Sequence, residues 1–274
     1  MELDDQTQAP LRKRHVRRVL ALLCLFLVMG YVWIPPVAPL DKARLIGYSI
    51  CHQIPDRSFH LAEHRLPLCA RCTGTYLGVA ISFAVLALLR RWRSGEMLSM
   101  GMVIVMVCLI GIMGVDGLNS YLYLITGRAY LYTPQNWLRA ATGALNGIAL
   151  TMIVTPIFNF TLWKQPSPDR PLKSVWELLA ILAAAAVAVF VVQSEPSWLL
   201  YPVSLLTTAG VLWMLALVNT MILLILFRRD SQAETWREAL ASQLFGLIAT
   251  LIELTAMGVF RYLITGTMGW PLAM

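Results

Sequence analysis

Charge is scarce in this sequence. Asp, Glu, Lys and Arg make up 14% of its 274 residues, where a soluble domain carries about 25%. With 58% hydrophobic residues and a mean hydropathy of +0.66, that shortage excludes an ordinary water-soluble fold. Acidic residues are the rarer sign, 15 against 22 basic ones, so the chain carries a formal net charge of +7. The surplus does not point to nucleic acid, because Lys and Arg fall in short clusters between apolar runs. No basic face interleaved with stacking aromatics accompanies them. Internal repeats and low-complexity segments are also missing, so there is no basis for a repeat architecture.

What the sequence does have is long apolar runs. Crossing a bilayer takes about 20 apolar residues, and the runs are Val19–Ile34, Thr73–Leu89, Leu98–Val115, Trp137–Phe158, Val175–Val192, Val203–Phe227 and Leu240–Ile264. They predict an all-α polytopic transmembrane bundle of about seven helices (six to eight) in the cell membrane, with the lipid bilayer as its partner. The first run is short and follows Arg12, Lys13, Arg14, Arg17 and Arg18, which resembles a signal-peptide flank. Trp33-Ile34-Pro35-Pro36 offers no small-residue cleavage site, so an uncleaved anchor is expected. With the N-terminus inside, the cytoplasmic segments hold that cluster, then Arg90, Arg91 and Arg93, then Lys164, Arg170 and Lys173, then Arg228, Arg229 and Arg237. These are fourteen of the 22 basic residues, the bias expected of inner loops. Nothing in the sequence speaks to oligomeric state.

The texture changes near residue 165. Residues 1–40 read as a basic segment and first helix, 41–160 as a core with three helices and an outer loop, and 161–274 as a three-helix extension. The connector Lys164–Lys173 contains Pro166, Pro168 and Pro171 and cannot continue a helix. Glu253 lies in the middle of the last run near Thr250. An acid there is either a functional group or a hydrogen-bonded residue facing a neighbouring helix.

Cysteine and histidine are few, five and four, but not dispersed. Cys51, His52, His60, His64, Cys69 and Cys72 share one predicted outer loop, while Cys24 and Cys108 lie inside apolar runs and read as core residues. Cys69 and Cys72 stand at the entry to a helix, so both thiols project from one face. That spacing suits three chemistries. With Cys51 and a histidine (His52 first, His60 or His64 as alternates), the thiolates complete a tetrahedral shell for zinc, or for iron. As a dithiol the pair cycles with a disulfide, the helix N-terminus lowering one pKa. In an oxidising compartment Cys51 pairs structurally with Cys69 or Cys72. No His follows Cys72, so covalent haem attachment is not indicated.

A second polar group sits on the same side. Asp116 ends the third run, and Asn136 and Arg139 open the fourth. An acid and a base at the membrane edge are expected to pair, so Asp116 and Arg139 are read as an ion pair or as catalytic candidates, with Arg57, Asn136 and Arg139 as substrate-binding candidates. Gly74 and Gly78, and Gly143 and Gly147, form small-xxx-small pairs that bring the second and fourth runs together.

The string Cys51-His52-Gln53, Arg57-Ser58-Phe59 and Pro67-Leu68-Cys69-Ala70-Arg71-Cys72-Thr73-Gly74-Thr75-Tyr76-Leu77-Gly78 resembles the signature of a prokaryotic family of predicted membrane proteins, domain of unknown function 2085. Asp116-Gly117, Asn136, Arg139, Thr142-Gly143 and Gly147 are similar to its downstream pattern, and the resemblance spans residues 45–150. It implies a membrane location and a compact helical core, and it brings no established activity. Three functions remain open: a metal-binding or transport protein, a thiol-disulfide oxidoreductase using Cys69 and Cys72, and a metal-assisted enzyme on lipid-linked substrates with Asp116 as base and Arg139 on a phosphate.

Overall fold

Bilayer hydrocarbon offers no hydrogen-bond partners, so each apolar run has to satisfy its own backbone as a helix. A computed structural model describes residues 38–268, with Leu22, Phe26 and Gly30 in helical conformation. Apart from those three, the expected first span Val19–Ile34, its basic flank and Cys24 lie outside the described residues. Seven α-helices occupy the described residues: α1 Pro39–Ile50, α2 Ala70–Leu88, α3 Met100–Thr126, α4 Asn136–Leu162, α5 Val175–Gln193, α6 Leu200–Leu226 and α7 Trp236–Thr265. All but α1 are long and apolar enough to cross a membrane. A short hairpin, β1 His60–Leu61 and β2 His64–Arg65, is the sheet structure of the loop between α1 and α2.

Local chemistry explains the ends. Pro39 opens α1, where its missing N–H costs nothing. Ser174 caps α5 by accepting the Glu177 amide at 3.3 Å, a capping-box arrangement. Gly127 and Gly266 close α3 and α7 at φ 67°, a left-handed conformation that glycine adopts without strain. One boundary differs markedly from expectation. α3 continues past Val115 to Thr126, because Asp116, Asn119 and Ser120 interrupt the apolar run in sequence but are buried against protein. Cys108 corrects another expectation: it lies on the exposed face of α3 and is not a core residue.

Helices α2 and α4 form the centre. A methyl at Gly74 would stand 2.7 Å from the Ala140 carbonyl carbon, and one at Gly147 would stand 2.9 Å from that of Thr75 and 3.0 Å from the Val79 nitrogen. The two predicted glycine pairs therefore interlock backbone to backbone. In α4, 67% of the most apolar stretch is buried inside the protein, against 17% in α3 and in α7, which places those two at the periphery. Because the six long helices alternate in direction, α1, the loop 51–69 and the loop 127–135 share one end. At the other end the Arg93 guanidinium lies 3.9 Å over the Trp163 ring, Trp92 stacks on Trp236 at 4.5 Å, and Arg91 pairs with Glu177 at 2.8 Å.

Candidate metal centre

The loop between α1 and α2 folds back so that its two ends meet. Gln53 adopts a left-handed conformation, φ 53°, and its buried carboxamide donates to the carbonyls of Arg44 at 2.9 Å and Pro67 at 2.8 Å. This tie holds Cys51, at the C-terminal cap of α1, beside Cys69, the N-terminal cap of α2. The Cys69 amide donates to Cys51 Sγ at 3.3 Å. Cys72 follows in the first turn of α2, as the C-x-x-C spacing predicts.

The three sulfurs lie within 4.8 Å of one another, with Cys51 and Cys69 buried and Cys72 half-buried. Thiol hydrogen bonds from Cys69 and then Cys72 pull the Cys51 thiol well below the usual range. Cys69 is pushed up in return, chiefly by its bond to Cys51. Zinc–sulfur bonds of about 2.3 Å in a tetrahedron set sulfurs roughly 3.8 Å apart, so the group fits a thiophilic cation with modest closure.

The histidines stand apart from the thiols. His52 Nδ1 accepts the Ile54 amide at 3.0 Å, which leaves the proton on Nε2. Burial depresses its pKa first, and the charges of Arg57, Arg71 and Arg139 lower it further. His60 and His64, the alternate ligands, lie on the hairpin, with His60 opposite Arg65 and Leu61 opposite His64. Alternation along the strands sends the two rings to opposite sides. Both are exposed, and His64 Nδ1 contacts the Ala62 carbonyl at 2.9 Å.

Asp116 and Arg139 do come to the same end, but they are not partners. Asp116, 1% exposed, is the counter-ion of Arg71, which binds Oδ2 through Nε at 3.1 Å and through a shorter second contact. Tyr132 donates to Oδ1 at 2.8 Å and Thr142 to Oδ2 at 3.2 Å. Those donors reach both oxygens and anchor the carboxylate between α2, α4 and the loop 127–135. Arg139 instead donates to Asn136 Oδ1 at 2.8 Å. Asn136 in turn donates to the carbonyls of Asp56 at 3.2 Å and Ser58 at 3.4 Å. Asp116 thus pairs with Arg71, 45 residues earlier in the chain, and not with Arg139 as expected from the sequence.

Two further residues escaped that reading. Ser120 receives all three nearby guanidinium groups, described below. Arg261, near the end of α7, donates to the carbonyls of Tyr48 at 2.6 Å, Cys51 at 2.5 Å and His52 at 3.1 Å. Its guanidinium also lies 4.2 Å from the Tyr48 ring centre. It thereby caps α1 and fixes the backbone of Cys51. The signal was present: a lone cation near the end of an apolar helix needs a partner. Glu253 takes the structural alternative, accepting from Asn219 at 2.7 Å, while Asn219 also donates to Thr250 at 3.0 Å.

Residues 51–153 match the profile of a family described as predicted membrane proteins, domain of unknown function 2085. An uncharacterised protein of Methanocaldococcus jannaschii is 30% identical over 116 residues, 42% of this chain and 68% of that relative. Another, from Methanothermobacter thermautotrophicus, is 50% identical over 34 residues, 12% of this chain and 31% of its own length. No solved structure matches. The matched stretch contains the three clustered cysteines, Asp116 and the arginines around it, and it ends before Arg261. This chain belongs to the domain of unknown function 2085 family of membrane proteins.

Proposed function

We propose that the protein binds one zinc ion at the outer end of its helical bundle through Cys51, Cys69 and Cys72. The observation that carries this reading is the convergence of three thiols from two separate segments within 4.8 Å. Three thiols at helix ends form a soft donor set. The ion clasps the end of α1 to the start of α2. His52 would supply the fourth bond only by giving up its Nδ1 contact, so that position is open to water or a ligand. The N-terminus lies inside and the site outside, as the basic clusters indicate.

Metal content and free thiols, measured on one detergent-purified sample prepared without chelators, test the proposal. About one zinc per chain is expected, lost in the Cys69→Ser/Cys72→Ser variant. No metal, with two of the three loop thiols oxidised, would refute it. That outcome favours the second reading, a thiol-disulfide oxidoreductase, which draws on the lowered Cys51 pKa and the Cys69 amide beside its sulfur.

A further inference from the structure

Arg57, Arg71 and Arg139 come from three different places in the chain and meet at one residue. Arg57 donates to the Ser120 carbonyl at 3.0 Å, Arg71 to the Ser120 hydroxyl at 3.2 Å, and Arg139 to the same hydroxyl at 3.4 Å. Three cations within a few ångströms repel one another. The field of Arg71 depresses the Arg57 pKa, after burial. The facing carboxylates are Asp116, committed to Arg71, and Asp56 at the exposed rim beside Arg57.

The donors are also underused. A guanidinium carries five N–H groups, and six hydrogen bonds engage these three side chains among the described residues. Arg139 is buried, 6% exposed. Arg71, its side chain 21% exposed, and half-buried Arg57 are more open to solvent. Arg71 and Arg139 also belong to the first turns of α2 and α4, where helix dipoles add positive potential. Buried positive charge left over after ion pairing calls for an anion, and convergent guanidinium forks match phosphate geometry.

We propose that Arg57, Arg71 and Arg139 form a binding site for one phosphate oxyanion, carried by a phospholipid headgroup or free in solution. The site stands whether or not the thiols hold a metal. Its position at the membrane edge is accessible to both sources.

Two probes separate them. Inorganic phosphate binding is measured by equilibrium dialysis on full-length protein in dodecyl maltoside. Phosphatidic acid retained per chain is counted by native mass spectrometry. One probe molecule per chain is expected, with at least tenfold weaker binding in Arg139→Gln and in Arg57→Gln. Phosphate binding alone assigns a soluble anion, and phosphatidic acid retention alone assigns a headgroup. Size exclusion and melting temperature confirm folding, and the more exposed Arg57→Gln carries the test if Arg139→Gln fails to fold. Binding of neither probe by the wild-type protein overturns the proposal. So does unchanged binding in a folded arginine variant.

Discussion

Replacing Gly147 with Ala adds one methyl group at a close backbone contact between α2 and α4. That methyl would sit 2.9 Å from the Thr75 carbonyl carbon and 3.0 Å from the Val79 nitrogen, whereas carbon atoms in contact prefer about 3.5–4.0 Å. Both neighbours are backbone, so no side chain can swing aside, and α2 has to retreat by roughly an ångström. Overpacking of this kind costs about 1–3 kcal/mol, and a rigid backbone neighbour puts the expectation at the upper end, about 3 kcal/mol. Gly111 provides an internal control. Nothing lies within 4 Å of its Cβ position, so the same substitution there gains helix propensity, up to about 1 kcal/mol. Reversible unfolding in mixed detergent micelles, followed by tryptophan fluorescence, reads both. Equal stability of Gly147→Ala and Gly111→Ala would show that the backbone contact between α2 and α4 does not set their spacing.

Arg261→Ala leaves the carbonyls of Tyr48, Cys51 and His52 without their charged donor, with an expected loss of about 2 kcal/mol. Hydrogen exchange should accelerate at amides 48–53, and unchanged protection there would remove Arg261 from its capping role. Tyr132 offers a pH test. Burial, and then its hydrogen bond to Asp116, raises the phenol pKa from 10.0 to about 12. A raised folded-state pKa contributes stability that is fully present below pH 10 and lost as pH climbs towards 12. Stability should therefore fall over that window, and Tyr132→Phe should flatten the fall; an identical alkaline profile in the variant contradicts the assignment.

Much of the fold was legible in the sequence because lipid imposes a simple rule. Val175–Val192 as read and Val175–Gln193 as found differ by one residue, since that helix is apolar throughout. The reading stopped short at α3, where Asp116 and Ser120 interrupt the run for reasons of tertiary contact. The C-x-x-C pair was visible because its spacing is local. The join of Cys51 to Cys69 depends on Gln53 turning left-handed, which no propensity forecasts for glutamine. The partner of Asp116 and the role of Arg261 were hidden for the same reason: both are contacts between distant segments, and neither periodicity nor spacing encodes them. α1 was missed because it is too short and too polar to register as a span.

The Arg261 contact also dictates an order of events during biosynthesis. Its guanidinium lies 210 positions downstream of the Cys51 carbonyl it holds. A ribosome delivering helices one after another into the membrane presents the cysteines early and their clamp nearly last. Until α7 is inserted, the end of α1 lacks this clamp, and the Gln53 tie has to hold Cys51 beside Cys69 without it. If the thiols take the proposed zinc ion, a chain that ends before α7 should hold it more weakly than the full-length protein.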